Sequence, residues 1–199
     1  MSEKNLRGKF VTDLYGSAPA TGAEELLKKW IDDKQTAWLA SWTEKVAKEG
    51  QNAIDVLTDI LSIFHRDTLG RPIIGNWMLR RCLVVTGQTI FNAQKDRSHP
   101  KRDILPMAVQ LVEPISINIL NGKVLDNPNG IRTYTVSITR PKRSFFKAYE
   151  FIQAGTTFET KIYFDDELLT EEQIALLLSK AGSVGLGAFR ERFGKFEWI

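Results

Sequence analysis

GSVGLGAFRERFGKFEWI, residues 182–199, is the stretch whose reading decides the fold. Glycines at 182, 185, 187 and 194 surround Arg190, Arg192 and Lys195, and the stretch closes on Phe196, Glu197, Trp198 and Ile199. Such glycine density lets a backbone take positive φ and approach a ligand closely, and arginines beside it suit an anionic partner. The implied order is helix, glycine loop, strand. A dinucleotide fingerprint needs strand, GxGxxG and helix, and a nucleotide-cradling loop needs GxxxxGK with Ser or Thr, so neither is present. The plainer alternative is a helix C-cap at Gly182 followed by a tight loop into a strand.

Working outward, the 199 residues suffice for one domain with a real core, and 43% hydrophobic with 26% charged residues is the composition of a globular chain. Residues 1–20 hold no long apolar run, so neither a signal peptide nor a membrane span is expected and the expected location is the cytoplasm. One cysteine, Cys82, excludes an intrachain disulfide and a cysteine cluster for zinc. The net charge of +3 conceals an asymmetry: Arg71 to Lys147 holds 13 Lys and Arg against 4 Asp and Glu (+9), and the remainder 14 against 20 (−6). A nucleic-acid-facing surface on an otherwise acidic protein has this distribution, although basic residues also solvate loops.

Residues 6–15 predict a first strand with Phe10, Leu14 and Tyr15 inward, ended by Gly16, Ser17 and Pro19. Thr21 with Glu24 forms a capping box ahead of Leu27, Ile31, Trp38, Trp42 and Val46, which share one face of a long helix ending at Gly50. Ile54, Leu57, Ile60, Leu61 and Phe64 form a second helical stripe. After a turn at Leu69-Gly70, Gly75 and Asn76 precede a helix over about 77–88 that carries Arg80 and Arg81. QKDRSHPKR, residues 94–102, is a polar basic loop. Residues 107–120 read as strand interrupted at Glu113-Pro114, and IRTYTVSIT, residues 131–139, is the clearest strand of the chain. It runs into Arg140, Lys142, Arg143 and Lys147 interleaved with Phe145, Phe146 and Tyr149, the cations and flat rings that single-stranded nucleic acid takes. A β-bend with its aromatics in the core is the alternative. Residues 157–164 predict another strand, and Thr170 with Gln173 starts a helix running through Lys180.

Together these elements predict an α+β fold. It is an elaborated ferredoxin-like, RNA-recognition-type antiparallel sheet over residues 66–199 with a strand from 6–15, helices on one face and a helical insertion or cap at 21–64, all in one domain over 1–199. RDTLGRPIIGNWMLRRCL, Arg66 to Leu83, resembles the D-x-x-G-x-P-x-I-x-G-x-x-L-R stretch of the RAMP superfamily, the repeat-associated proteins of CRISPR effector backbones. GLGAFRERFGKFE, Gly185 to Glu197, resembles that superfamily's glycine-rich loop. The two together look like a group of bacteriophage proteins ending in a GxGxxRxxxGxFE motif, for which the location would be the host cytoplasm. The chain departs from the pattern at Asn76 and in the long helices before Arg66. The resemblance implies a fold whose glycine loop and neighbouring basic residues approach a nucleic-acid backbone. Gly70, Arg71, Arg80 and Arg81 correspond to the first motif, and Gly185, Gly187, Arg190, Arg192 and Gly194 to the second.

Chemistry-bearing residues are sparse. Some RAMP relatives cleave RNA with a histidine, which draws attention to His65 and His99, but sequence places no partner beside either. Asp67 reads as a turn cap, and Asp165-Asp166-Glu167 as an acid run before a helix rather than a metal site. No cofactor and no metal are expected. The first reading is therefore a non-catalytic binder of single-stranded RNA or DNA, able to assemble along the strand as a homo-oligomer, with no membrane partner. Its contacts would be Arg71, Arg80, Arg81, Arg140, Lys142, Arg143, Lys147, Gly185, Gly187, Arg190, Arg192 and Lys195. Alternatives are a phage protein binding a host defence complex through its tryptophan-bearing helix, and a metal-independent endoribonuclease using His65.

Overall fold

The computed structural model describes residues 1–20, 60–93, 104–113, 115–139, 142–188, 190 and 192–199, with isolated positions between 28 and 58; side chains at 92–93, 111, 135–139 and 142–146 are not described. The helices expected over 21–59 and the basic loop at 94–102 lie outside the described residues. The strands are β1 (Ser2–Phe10), β2 (Leu14–Tyr15), β3 (Ala18–Pro19), β4 (Leu61–Ile63), β5 (His65–Arg66), β6 (Pro72–Gly75), β7 (Val109–Glu113), β8 (Ser116–Leu120), β9 (Gly130–Thr139), β10 (Lys142–Ile152), β11 (Thr157–Phe164) and β12 (Phe196–Trp198). The helices are α1 (Asn76–Ala93), α2 (Leu105–Ala108) and α3 (Glu171–Val184). The protein is thus α+β with mostly antiparallel sheets.

The described residues group into two compact units. The first comprises Met1–Tyr15, His65–Asn127 and Ile152–Ile199. Its sheet has the strand order β12-β1-β11-β8-β6-β5, with β7 pairing β11 as well. Every one of these pairings is antiparallel. β1 sets the pattern: SEKNLRGKF alternates, so Gly8 and Phe10 turn inward while Glu3, Asn5, Arg7 and Lys9 turn outward. Phe158, Ile162 and Phe164 of β11 and Ile117 and Ile119 of β8 complete the buried side. On that side α1 and α3 pack against each other: Leu79, Cys82 and Leu83 face Ile174, Leu177 and Ala181, and the Cys82 thiol donates to the Ala181 carbonyl at 3.3 Å. Gly87 leaves the room that Leu105 and Leu177 fill.

The second unit comprises Gly16–Phe64 and Pro128–Phe151. β9 and β10 form a long antiparallel hairpin, from Thr139 opposite Lys142 to Gly130 opposite Phe151. β10 also pairs in parallel with β4, and β4 antiparallel with β3. Glu150 is fully buried here, and its Oε2 accepts the Phe64 N–H at 2.6 Å.

Three elements differ from the sequence expectation. Leu61 to Ile63 is strand, not the end of a helical stripe, because Leu61 and Ile63 alternate around Ser62 with a period of two and two neighbouring strands are there to pair with. Leu105–Ala108 is a helical turn where a strand is expected from Met107, since Pro106 fits a first turn that needs no N–H. β1 starts at Ser2 and stops at Phe10, short of the Leu14–Tyr15 segment.

Candidate nucleic-acid interface

The loop between α3 and β12 is closed on itself. Thr170 caps α3 through the expected box with Gln173, and the helix runs past Gly182 to Val184. Gly182 is therefore a helical residue, and a Cβ there would meet the Phe196 carbonyl, so its absence lets β12 lie against α3. Gly185, Gly187 and Gly194 have φ of 81°, 74° and 66°, left-handed values that favour glycine. A side chain at Gly187 would strike the Tyr15 carbonyl, and one at Gly194 the Leu186 carbonyl. Leu186 N–H donates to Gly194 O at 2.9 Å, Gly194 N–H to Asp13 O at 2.8 Å and Ala188 N–H to Tyr15 O at 3.1 Å. The glycines thus bring main chain against main chain of the same protein, and sequence alone cannot tell this packing from approach to a ligand.

The basic residues of the loop divide. Lys195 turns back to the C-terminus of α3, where its Nζ donates to the carbonyls of Ser183 and Val184, the latter at 3.3 Å. An ammonium at that end also meets the negative pole of the helix. Arg190 is half-buried and Arg192 exposed, and neither has an acidic partner among the described residues.

A similar division holds in the first motif. Asp67 Oδ1 accepts the Leu69 and Arg71 N–H groups, each at 2.9 Å, and its Oδ2 accepts from Arg71 Nε at 2.7 Å. The Arg71 guanidinium holds the Asp67 carboxyl below the usual carboxylate range. Gly70 at φ 77° makes this turn possible. Arg80 reaches under α2: its Nε donates to Val109 O at 2.7 Å and its Nη2 to Pro106 O. Arg81, one residue on, is exposed without an acidic partner among the described residues. In the second unit, Lys147 on β10 is half-buried, and Arg132 of β9 stacks its guanidinium 4.1 Å from the Phe151 ring centroid. Arg140, and the side chains of Lys142 and Arg143, lie outside the described residues.

Away from the helices, the outer sheet face is set by register. Glu3 lies opposite Tyr163, Asn5 opposite Lys161, Arg7 opposite Glu159, Lys9 opposite Thr157 and Glu197, and Lys161 opposite Glu113, so all these side chains share one face. Lys161 pairs with Glu3 at 3.2 Å and Arg7 with Glu159 at 3.6 Å. A shallow open depression among Asn5, Arg7, Glu113, Glu159, Lys161 and Ile199 lies on it. Acids and bases of this face neutralise one another, so it offers a polyanion little net attraction.

His65 on β5 has its ring centroid 4.9 Å from that of Trp77, edge to face at 84°. Burial is what lowers its pKa, with no charged neighbour contributing to the shift. His99 is outside the described residues. No group of three or more His, Cys, Asp or Glu residues is placed to hold a metal ion among the described residues, and among them no helix is long and apolar enough to cross a membrane.

No protein-family model matches the chain, and no curated protein matches it in sequence. Among solved structures, a chain of a Type IV-B CRISPR complex is similar with a TM-score of 0.51 and 13% identity, over 100% of this chain and 90% of that one. At that identity the likeness shows a shared fold: this chain has the fold of a subunit of a CRISPR complex.

Proposed function

We propose that the protein is a non-catalytic, single-stranded nucleic-acid-binding protein of ferredoxin-like, RAMP-type fold that assembles side by side along its ligand. The observation that carries this reading is the pairing state of the arginines. Arg81, Arg190 and Arg192 keep their charge unneutralised by any described acid, whereas Arg7 and Lys161 of the sheet face are ion-paired. The element order β1, α1, β7–β8, β11, α3, β12 with strand order β12-β1-β11-β8 supports the ferredoxin-like assignment. The likeness in fold to a chain of a CRISPR complex is consistent with a nucleic-acid-associated role. Arg140, Lys142, Arg143 and Lys147, in and around the β9–β10 hairpin, are a second proposed contact region, carried by the other unit. Arg71, Arg80 and Lys195 act from behind, by fixing the turn, α2 and the loop on which the outward arginines stand.

The test is fluorescence anisotropy with labelled single-stranded RNA, single-stranded DNA and duplex DNA across a salt series. Single-strand affinity should fall steeply with salt, and Arg190→Ala/Arg192→Ala should weaken it and flatten the log–log slope by about one for each phosphate no longer neutralised. Size-exclusion chromatography should show complexes that grow with strand length. Absence of binding to all three ligands at low salt overturns the proposal.

A further inference from the structure

Trp77 is the one large aromatic among the described residues that α1 leaves in solvent: half of its surface is exposed. It is nevertheless firmly seated. A Cβ on Gly75 would collide with the six-membered ring of Trp77, so the missing side chain lets the indole lie down on the end of β6. His65 braces it from the neighbouring strand, with ring centroids 4.9 Å apart, and burial keeps that imidazole neutral at physiological pH. Arg81 stands four residues further along the same helix, which puts the two side chains about 5–6 Å apart at Cβ on one face. A tryptophan kept exposed at the cost of apolar hydration, pre-oriented by a glycine and a histidine, and adjacent to an unneutralised guanidinium, has the composition of a nucleotide subsite.

From this geometry we infer that Trp77 and Arg81 form a base-stacking subsite for single-stranded nucleic acid, the indole taking a base and the guanidinium the adjoining phosphate, with Gly75 and His65 as positioning residues. This rests on the nucleic-acid reading above and adds a contact that charge alone does not supply. Stacking on an aromatic is indifferent to base identity, so the subsite contributes affinity without sequence preference.

The experiment compares oligouridylate, oligothymidylate and a base-free deoxyribose-phosphate strand of equal length by anisotropy, with wild type, Trp77→Ala, Trp77→Leu, Trp77→Phe and Arg81→Ala. Trp77→Leu keeps apolar cover over Gly75 without the ring, so it serves where Trp77→Ala lowers the melting temperature. Wild type should prefer base-bearing strands, and Trp77→Leu should weaken binding to them roughly 5- to 150-fold and to the base-free strand little, at unchanged salt slope. Trp77→Phe should retain most of the preference, and Arg81→Ala should keep the preference while the slope falls by about one. Equal weakening on base-bearing and base-free strands, or a wild type that binds strands without preferring bases, overturns the subsite and leaves the nucleic-acid reading standing. A wild type that binds none of the three overturns both.

Discussion

Cys82 and His65 show how burial tunes two reactive side chains toward inertness. The Cys82 thiol is pushed up to about 12 by its burial between α1 and α3, with Arg190 and Lys195 opposing that shift. Almost no thiolate exists at neutral pH, and the thiolate is the nucleophile. An aromatic disulfide reagent should therefore label the native protein only as fast as it opens, and full reactivity should appear in denaturant; rapid labelling of the folded protein would refute this packing. For His65 the sign is fixed by the direction of its shift. Burial favours the neutral ring in the folded state, so its contribution to stability is present above the ordinary histidine value of about 6.5 and is lost as pH falls through the lower folded value. Melting temperature should decline between about pH 7 and pH 5, and His65→Gln should flatten that decline.

Among the elements, α3 and the loop after it carry the sharpest tests. Replacing Gly by Ala within an unencumbered helix stabilises by about 1 kcal/mol. Gly182→Ala should do the opposite, by about 1–3 kcal/mol, because its methyl would displace the Phe196 carbonyl and with it β12. A gain in melting temperature would show that β12 does not lie so close. Thr170→Ala should cost about 1 kcal/mol by removing the oxygen that accepts the Gln173 N–H at 3.3 Å, read as a shift in denaturation midpoint. This helix start was legible from four residues because a capping box is a local signal, and β9 and β11 were legible because β-branched and aromatic residues alternate along them. Leu61–Ile63 was not, since a three-residue strand with two apolar positions holds too little periodicity and its pairing partners lie far away in sequence. Of the candidate site, Arg81, Arg190 and Arg192 were legible as cations. That Arg71, Arg80 and Lys195 spend their hydrogen bonds on Asp67, Val109 and Val184 depends on folding distances no motif encodes. Trp77 was hidden for a related reason: exposure is a property of packing, and in sequence it reads as one more apolar residue at the start of a helix.

Across the whole molecule, charge has two different destinations. On the outer face of the first sheet it is consumed in pairs such as Lys161–Glu3, and on the loop and on α1 it stands unopposed by any described acid. Lys161→Ala with Arg7→Ala should accordingly leave nucleic-acid affinity within about twofold, against a decrease of about tenfold or more for Arg190→Ala/Arg192→Ala under the same low salt. Equal effects would move the interface to the sheet. The pairing of β1 has a consequence for how the chain is made. This strand is synthesised long before its two neighbours, Thr157–Phe164 and Phe196–Trp198. At about 5–20 residues per second, it leaves the ribosome on the order of ten seconds before either partner exists. Throughout that wait both its edges are open to pairing with other nascent chains. Lys4, Arg7 and Lys9, spaced through SEKNLRGKF, place repelling charges along the waiting strand and so guard it until its own partners emerge.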